Sequence, residues 1–233
     1  HAKLIPFKTP NYYHIVININ LKIDIIKYNK ILHKKLRTFQ MTDKFKKSLP
    51  ISLNLKSVNP LPENIQKYFK LCKEKLGLIP NVLKAYSHNT EKLNAFTNMY
   101  NEIMLAESGL SKLQREMIAV VVSSINKCFY CQVAHGASVR ELSKNPELSE
   151  ELIMNYNIAN ISDKDKAMLK FSDKMTSSSY KIQEKDRNIL REHGFTDADI
   201  WDIASVVGFF NMSNRIASAT KMIPNNEYHF KGR

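Results

Sequence analysis

The sequence after residue 60 predicts an all-α protein, on the basis of helical spacing, helix-end signals and composition. The stretch ENIQKYFKLCKEKLG repeats apolar residues at helical intervals and stops at Gly77, a residue typical of helix C-termini. Ser111 and Gln114 fit a capping box at the start of SKLQREMIAVVVSSINK, in which apolar residues occupy most sides of the helix. A chain of 233 residues with 43% hydrophobic residues can bury a core without crosslinks. We therefore expect this apolar helix to be central.

The first forty residues differ from the rest in pattern and in charge. Between residues 17 and 25, isoleucine and leucine alternate with polar residues, which is the period of a strand. Eight lysines and arginines oppose a single acid, Asp24, in residues 1–40. We interpret this segment as a basic extension outside the core, with the working protein beginning near Met41; a targeting or membrane-surface arm is the alternative. The remaining predicted boundaries are a linker at 41–56, a helical domain at 57–223 and a C-terminal tail at 224–233.

The formal net charge of +13 does not by itself predict nucleic-acid binding. The basic residues are spread over several predicted helices without interleaved aromatic residues, a distribution more typical of a solvated surface. The longest apolar stretch, around MIAVVVSSI, is too short to cross a membrane, and three cysteines cannot form a disulfide framework. We therefore expect a cytoplasmic protein that binds neither nucleic acid nor membrane.

The central helix has a partial copy 85 residues later in the chain. The segment IAVVVSSIN at 118–126 matches IASVVGFFN at 203–211 at five positions: the initial isoleucine and alanine, the two later valines and the final asparagine. Ser111 and Thr196 are candidate N-caps at the same offset. The pattern predicts an internal two-fold repeat of helical hairpins, with the chemistry in the first copy only. The counterparts of Glu116, Cys128 and Cys131 in the second copy are Trp201, Ser213 and Ile216.

Cys128, Cys131 and His135 form the most informative cluster in the sequence. Asn126 and Lys127 are expected to end the central helix, so that CFYCQVAHGASVREL begins a new helix near Cys128. The three- and four-residue spacings place both thiols and the imidazole on one helical face. A helix N-terminus favours an anion and lowers the pKa of a thiol there. The imidazole can accept a proton from Cys131 directly or through a water.

Residue chemistry alone leaves three interpretations of this cluster open. Structural zinc needs a fourth ligand, for which only Cys72 and scattered histidines are available. Two core cysteines beside a satisfied histidine would need no function, but a C-x-x-C pair at a helix start favours thiol redox chemistry. Cys72 lies among apolar residues and is interpreted as a small buried hydrophobe. Glu116, inside an apolar helix, either follows a polar surface edge or has a partner that offsets its burial.

The pattern of Glu116, eleven residues, Cys128-x-x-Cys131, three residues and His135 resembles the alkylhydroperoxidase D-like proteins of the carboxymuconolactone decarboxylase superfamily. The segments LGLIPNVLKAYSHN and GFTDADIWDIASVVGFFNMSNRIA are similar to the subgroup of peroxidase-related enzymes, and the similarity covers about residues 57–222. The resemblance implies an all-helical bundle, homo-oligomers and neither a bound metal nor an organic cofactor. It also implies that Cys131 is the peroxidatic thiol, that Cys128 resolves it, and that Glu116 and His135 relay protons.

By the same resemblance the expected activity is a thiol-dependent peroxidase that reduces hydroperoxides. Cys131 would be oxidised to a sulfenic acid, Cys128 would condense with it, and an external lipoyl-like or thioredoxin-like dithiol would reduce the disulfide. Two residues depart from the family pattern, since Lys127 stands where relatives often carry glycine and Tyr130 where the best-studied members carry a second histidine. Tyr130 is interpreted as an aromatic side chain packed beside the pair, with proton donation as the alternative.

Two other classes of function stay open. One is a thiol–disulfide oxidoreductase without peroxidase activity, and the other is a non-catalytic helical binding module that is switched by oxidation of its cysteines. Decarboxylation of a lactone is less favoured, because that chemistry does not call for a vicinal dithiol.

Overall fold

The computed structural model describes residues 50–233, and these residues form an all-α fold. No strand occurs among them, which confirms the predicted fold class. The basic extension at 1–40, its alternating segment and most of the predicted linker lie outside the described residues. The α-helices of residues 50–233 are α1 (Glu63–Leu76), α2 (Asn81–Tyr86), α3 (Thr90–Met104), α4 (Lys112–Ile125), α5 (Phe129–Ser143), α6 (Leu148–Asn155), α7 (Asp163–Ser178), α8 (Glu184–Glu192) and α9 (Asp197–Ala219). Short 3₁₀ helices lie at Tyr156–Ile158, Ser179–Lys181 and Asn226–His229.

Helix α1 ends where the sequence predicts. Gly77 follows its last residue with a left-handed backbone (φ 76°), and its N–H donates to the carbonyl of Lys73 at 3.0 Å. This conformation is open to glycine without steric cost, which is why the helix stops here. Cys72 is buried in a cluster with Ile65 and Leu93, in agreement with its interpretation as a small core residue.

Helix α4 is the central helix that its composition predicts. At its start, Ser111 Oγ accepts the N–H of Gln114 at 3.1 Å, and Gln114 Oε1 accepts the N–H of Ser111 at 2.9 Å. These two bonds are the predicted capping box. Every residue from Arg115 to Ser123 is buried, and α4 packs against α5, α6, α7 and α9. The carboxylate of Glu116 therefore lies inside the protein.

The break between α4 and α5 lies at Asn126 and Lys127, as predicted. The N–H of Lys127 donates to the carbonyl of Ser124 at 3.0 Å, and that of Cys128 donates to Ser123 at 2.9 Å. This pair of bonds is a Schellman motif, with Lys127 in the left-handed region at φ 55°. A residue with a Cβ is strained in this conformation, which gives a physical reason for the glycine that relatives often carry at the position of Lys127. Cys128 then becomes the N-cap of α5.

Helix α9 reproduces the start of α4 but not the hairpin that follows it. Thr196 and Asp199 form a capping box like that of α4. The two counterpart asparagines meet, since Asn126 Nδ2 donates to Asn211 Oδ1 at 3.1 Å. Helix α9 continues unbroken from Asp197 to Ala219. The predicted repeat of two helical hairpins is therefore not confirmed, because the second segment is a single helix.

Both ends of the described chain contact the helices. The N–H of Ser52 donates to the carbonyl of Thr220 at 2.8 Å, so the first described residues pair with the end of α9. Arg140 Nη2 donates to the carbonyl of Tyr228 at 2.8 Å and holds the C-terminal segment against α5. The domain limits at 57 and 223 stay predictions. Across residues 50–233, every helix is too short or too polar to span a membrane.

Candidate active site

Glu116 and His135 form a hydrogen-bonded pair between α4 and α5. Glu116 Oε2 lies 2.6 Å from His135 Nδ1, and the two side chains are 10% and 13% exposed. Because α5 folds back along α4, two residues 19 positions apart in the sequence meet, and Glu116 does not lie along a surface edge. Since a carboxylate only accepts, the hydrogen between them is carried by Nδ1, which leaves Nε2 of the ring available for proton transfer. The ring packs edge-on against Phe210, with centroids 4.5 Å apart.

Cys128 is a buried free thiol whose pKa is lowered. The largest cause is a hydrogen bond from the Cys131 thiol, which outweighs burial and lowers the pKa of Cys128 to about 7. The backbone N–H of Cys131, the side chain of Ser218 and the charge of His135 also favour the thiolate. The predicted direction agrees with this result, although the neighbouring thiol contributes more than the helix N-terminus. A thiolate at Cys128 is therefore available near neutral pH.

Cys131 has the opposite tendency, because it is the donor in that hydrogen bond. Donation to Cys128 and burial raise the pKa of Cys131 well above its ordinary value, and the charge on Cys128 adds to the rise. The side chains of Asn214 and Ser123 partly oppose it by hydrogen bonding to the sulfur. In the resting dithiol the negative charge therefore lies on Cys128 and the proton on Cys131.

Three polar side chains around the thiols were not predicted from the sequence. Ser123 lies in α4, whereas Asn214 and Ser218 lie in α9, more than 80 residues from the cysteines. Asn214 is fully buried, and its Nδ2 donates to Ser123 Oγ at 3.0 Å. The only sequence signal for these three side chains is that each is a polar residue inside an otherwise apolar helix. Such a residue does not show which distant side chain it will meet.

A cavity of about 370 Å³ leads to Cys131 and His135. Its walls are mainly apolar and aromatic, and its outer part includes Leu71 and Leu105, which are exposed, so the cavity opens to solvent. Cys128 does not line it. The sulfur that carries the charge and the sulfur that a ligand can reach are therefore different atoms.

Tyr130 lies in the wall of the same cavity and is 6% exposed. Its hydroxyl oxygen accepts the N–H of Val82 at 3.1 Å. Burial, with smaller contributions from Tyr228 and the two cysteines, raises the pKa of Tyr130 well above its ordinary value. The side chain packs beside the pair as interpreted, and its hydroxyl stays protonated.

Cys72 belongs to a different core cluster from Cys128 and Cys131. Burial raises the pKa of Cys72, so its sulfur is a thiol near neutral pH. Among residues 50–233, no three side chains of His, Cys, Asp or Glu are grouped so that they could hold a metal ion.

Comparison with known proteins supports the fold and the family. A model of the carboxymuconolactone decarboxylase family matches residues 91–173. An uncharacterized peroxidase-related protein from Silicibacter sp. TM1040 is 63% identical, with a TM-score of 0.78, over 80% of this chain and 97% of that one. The alkylhydroperoxidase AhpD core of Ralstonia eutropha JMP134, an uncharacterized peroxidase-related protein, is 39% identical, with a TM-score of 0.76. The match covers 78% of this chain and 96% of that one. The apo debrominase Bmp8, 15% identical with a TM-score of 0.65 over 76% and 95%, shares the fold alone. No curated protein matches the chain significantly.

The chain belongs to the carboxymuconolactone decarboxylase family, in its subgroup of alkylhydroperoxidase D-like, peroxidase-related proteins. Two similar structures, at 63% and 39% identity, are covered over nearly their whole length. The family and the fold predicted from the sequence are therefore confirmed. The catalytic roles of Cys131, Cys128, His135 and Glu116 stay proposals.

Proposed function

We propose that the protein is a thiol-dependent peroxidase that reduces organic hydroperoxides, with an antioxidant role. The observation that carries the proposal is the joint exposure of Cys131 and His135 to one apolar cavity, with Glu116 hydrogen bonded to the far side of the imidazole. The arrangement brings a reducing thiol, a proton-transfer group and room for an apolar ligand together. The peroxidase-related relatives support the same reaction class.

In this proposal Cys131 is the attacking sulfur, because it borders the cavity. Its proton first passes to Cys128 or to His135, and the negative charge then lies on Cys131. Glu116 stabilises the positive charge when the imidazole takes the proton. The Cys128 thiolate, with a pKa of about 7, provides a base of suitable strength next to the attacking thiol.

The Cys131 thiolate attacks the distal oxygen of ROOH, so that an S–O bond forms and the O–O bond breaks. The departing alkoxide takes up the proton that left the thiol, which gives ROH and a sulfenic acid on Cys131. The thiol of Cys128 then attacks this sulfur, releases water and forms a disulfide. A lipoyl-like or thioredoxin-like dithiol reduces the disulfide and completes the cycle.

Two further properties belong to the proposal. The three cysteines are unlinked thiols in the structure, and a cycle that passes through a reduced dithiol suits the cytoplasm. Assembly into a homo-oligomer, which the family resemblance implies, would be measured by sedimentation or light scattering of the full chain.

Consumption of cumene hydroperoxide with reduced lipoamide tests the proposal. We expect turnover by the wild type, none by Cys131→Ser, and a single oxidation event with a trappable sulfenic acid in Cys128→Ser. Cys72, the third cysteine, also lines the cavity, so the control is Cys72→Ser, which keeps the size of the side chain and should keep its activity. Disulfide reduction by the wild type without any peroxide consumption would instead identify a thiol–disulfide oxidoreductase, and steady-state turnover by Cys131→Ser would refute the assignment of the attacking thiol.

A further inference from the structure

Tyr130 is the cavity side chain that stands between the two cysteines in the sequence. It lies in the first turn of α5, and its ring is buried in the wall that also contains Cys131 and His135. Charge on either cysteine raises the pKa of Tyr130, so the phenol lies within electrostatic reach of both sulfurs. Tyr130, Cys131 and His135 therefore share one cavity wall.

Packing accounts for the ring of Tyr130 but not for its hydroxyl. The oxygen accepts the N–H of Val82 at 3.1 Å, which uses one lone pair and orients the phenol. No acceptor for its proton is found among residues 50–233. A buried donor without an acceptor costs free energy, and a ligand oxygen in the adjoining cavity would satisfy it. The donation from Val82 also makes the hydroxyl a stronger donor, because hydrogen bonds in a chain polarise one another.

We infer that Tyr130 is a further catalytic residue, whose hydroxyl donates a hydrogen bond to the hydroperoxide oxygen that leaves as alkoxide. The inference rests on the proposed peroxidase function. Attack by Cys131 transfers the electron pair of the O–O bond to the RO oxygen, and Tyr130 stabilises that charge as it develops. The proton lost by the Cys131 thiol ends on this oxygen, so Cys131–SH and ROOH give Cys131–SOH and ROH, and Tyr130 is unchanged.

The dependence of the rate on the leaving group tests this role. An alkoxide is a poor leaving group and needs a donor, whereas the acetate that leaves from peracetic acid needs none. In Tyr130→Phe we expect kcat/KM to fall about 10- to 100-fold with tert-butyl and cumene hydroperoxides and less than about threefold with peracetic acid. A purely structural role would lower both rates by the same factor, and an equal loss would overturn the inference.

Tyr156→Phe is the matched control, because it also removes a hydroxyl hydrogen bond, from Tyr156 to Asp173 at 2.9 Å, in a side chain outside the cavity. It should leave the rates with both classes of peroxide unchanged. Wild-type kinetics give a measurement that does not depend on folding of the variant, since a donor makes the rate depend only weakly on the basicity of the leaving group. A steep dependence in the wild type would overturn the inference for Tyr130 alone, whereas absence of peroxide turnover in the wild type would overturn the proposed function and this role together.

Discussion

Two segments of the molecule begin alike and then diverge: α4 with α5, and α9. Each begins with a capping box, and the asparagines at 126 and 211 hydrogen bond to each other at 3.1 Å. After Asn126 the first segment turns through a Schellman motif at Lys127, whereas the second stays helical through Met212 and reaches the same kind of motif only at Lys221 (φ 51°). The two segments therefore differ in where the helix ends.

The position of the break decides which chemistry each segment can support. Because α4 stops, Cys128 becomes the N-cap of a new helix, and the N–H of Cys131 favours its thiolate. Ser213, the counterpart of Cys128, lies inside α9, and its buried Oγ has no hydrogen-bond partner among residues 50–233. In α9 the backbone N–H groups at this level bond to carbonyls of the preceding turn and cannot stabilise an anion. The backbone break thus contributes to reactivity beyond the identity of the side chain.

The largest difference between the segments is expected from the proposed proton relay, whose residues Glu116 and His135 lie in the first segment. Glu116→Gln keeps the shape of the side chain and removes its charge, so the imidazolium loses stabilisation, and we expect peroxide turnover to fall about 10- to 1,000-fold. His135→Ala should lose a similar factor, and the double variant little more, because groups that act as a unit are not additive. Steady-state peroxide consumption measures all three.

Trp201, the counterpart of Glu116, provides the control for the relay. Its side chain is 76% exposed, and Trp201→Gln should leave the turnover rate unchanged. The free energy of unfolding of Glu116→Gln should stay close to that of the wild type or rise, since a buried carboxylate is removed. Fully multiplicative losses in the double variant would show that Glu116 and His135 act independently.

The second difference concerns pH. With the pKa of Cys128 at about 7, the reduced protein should gain thiolate absorbance in the ultraviolet as the pH rises through 7, and Cys128→Ser should lack this step. An unfolded cysteine titrates at about 8.5. Because the folded pKa is the lower one, Cys128 contributes stability above about pH 8.5 that is lost as the pH falls through 7, whereas the raised pKa of Cys131 lowers stability as the pH rises above its ordinary value.

Moving the thiol to α9 removes both the helix end and the hydrogen bond from Cys131. In Cys128→Ser/Ser213→Cys the new thiol lies inside a continuous helix, and its thiolate should appear at least one pH unit above that of Cys128 in the wild type. A midpoint near 7 in this double variant would mean that the helix end contributes nothing to the acidity.

The third prediction addresses the contact that joins the two segments. Asn214 is fully buried, donates to Ser123 Oγ at 3.0 Å and accepts from Asn126 Nδ2 at 3.1 Å. Asn214→Ala removes both bonds and leaves the buried hydroxyl of Ser123 and the half-buried amide of Asn126 without this partner, so the free energy of unfolding should fall by about 2–3 kcal/mol. Urea denaturation measures the loss. Asn188→Ala, at an exposed asparagine of α8, should change stability by less than about 0.5 kcal/mol, and an equal effect at both sites would refute the role of the buried cluster.

The smallest expected effect is a change in stability on substitution by glycine, with opposite signs at Lys127 and at its counterpart Met212. Lys127→Gly relieves a left-handed residue with a Cβ, and although glycine gains unfolded-state entropy, stability should rise by about 0.5 kcal/mol. Met212→Gly, at the counterpart position inside α9, should lower it by about 1 kcal/mol. Thermal or urea denaturation measures the stability of the two variants against the wild type. A change of the same sign in both would show that the positive φ of Lys127 is not strained.

Much of the local structure could be predicted because it depends on contacts within one or two turns. Gly77, the capping box at Ser111 and the break before Cys128 were all predicted from neighbouring residues, and each is present. The same is true of the helical face shared by the cysteines and His135, since the spacing of residues along a helix determines it. The repeat of hairpins is not confirmed, because matching apolar residues do not specify where a helix will end.

The sequence by itself thus predicted the helices, the ends of α1 and α4 and the candidate site residues, and the family resemblance gave those residues expected roles. Only the tertiary structure decided that Asn214 reaches Cys131, that Val82 orients Tyr130 and that the hydrogen bond from the Cys131 thiol is the largest cause of the lowered pKa of Cys128. The physical reason is the range of the interactions. Caps and helical faces arise between residues a few positions apart, whereas burial, hydrogen-bond partners and the resulting pKa values depend on helices that are distant in the chain and meet only when the core has packed.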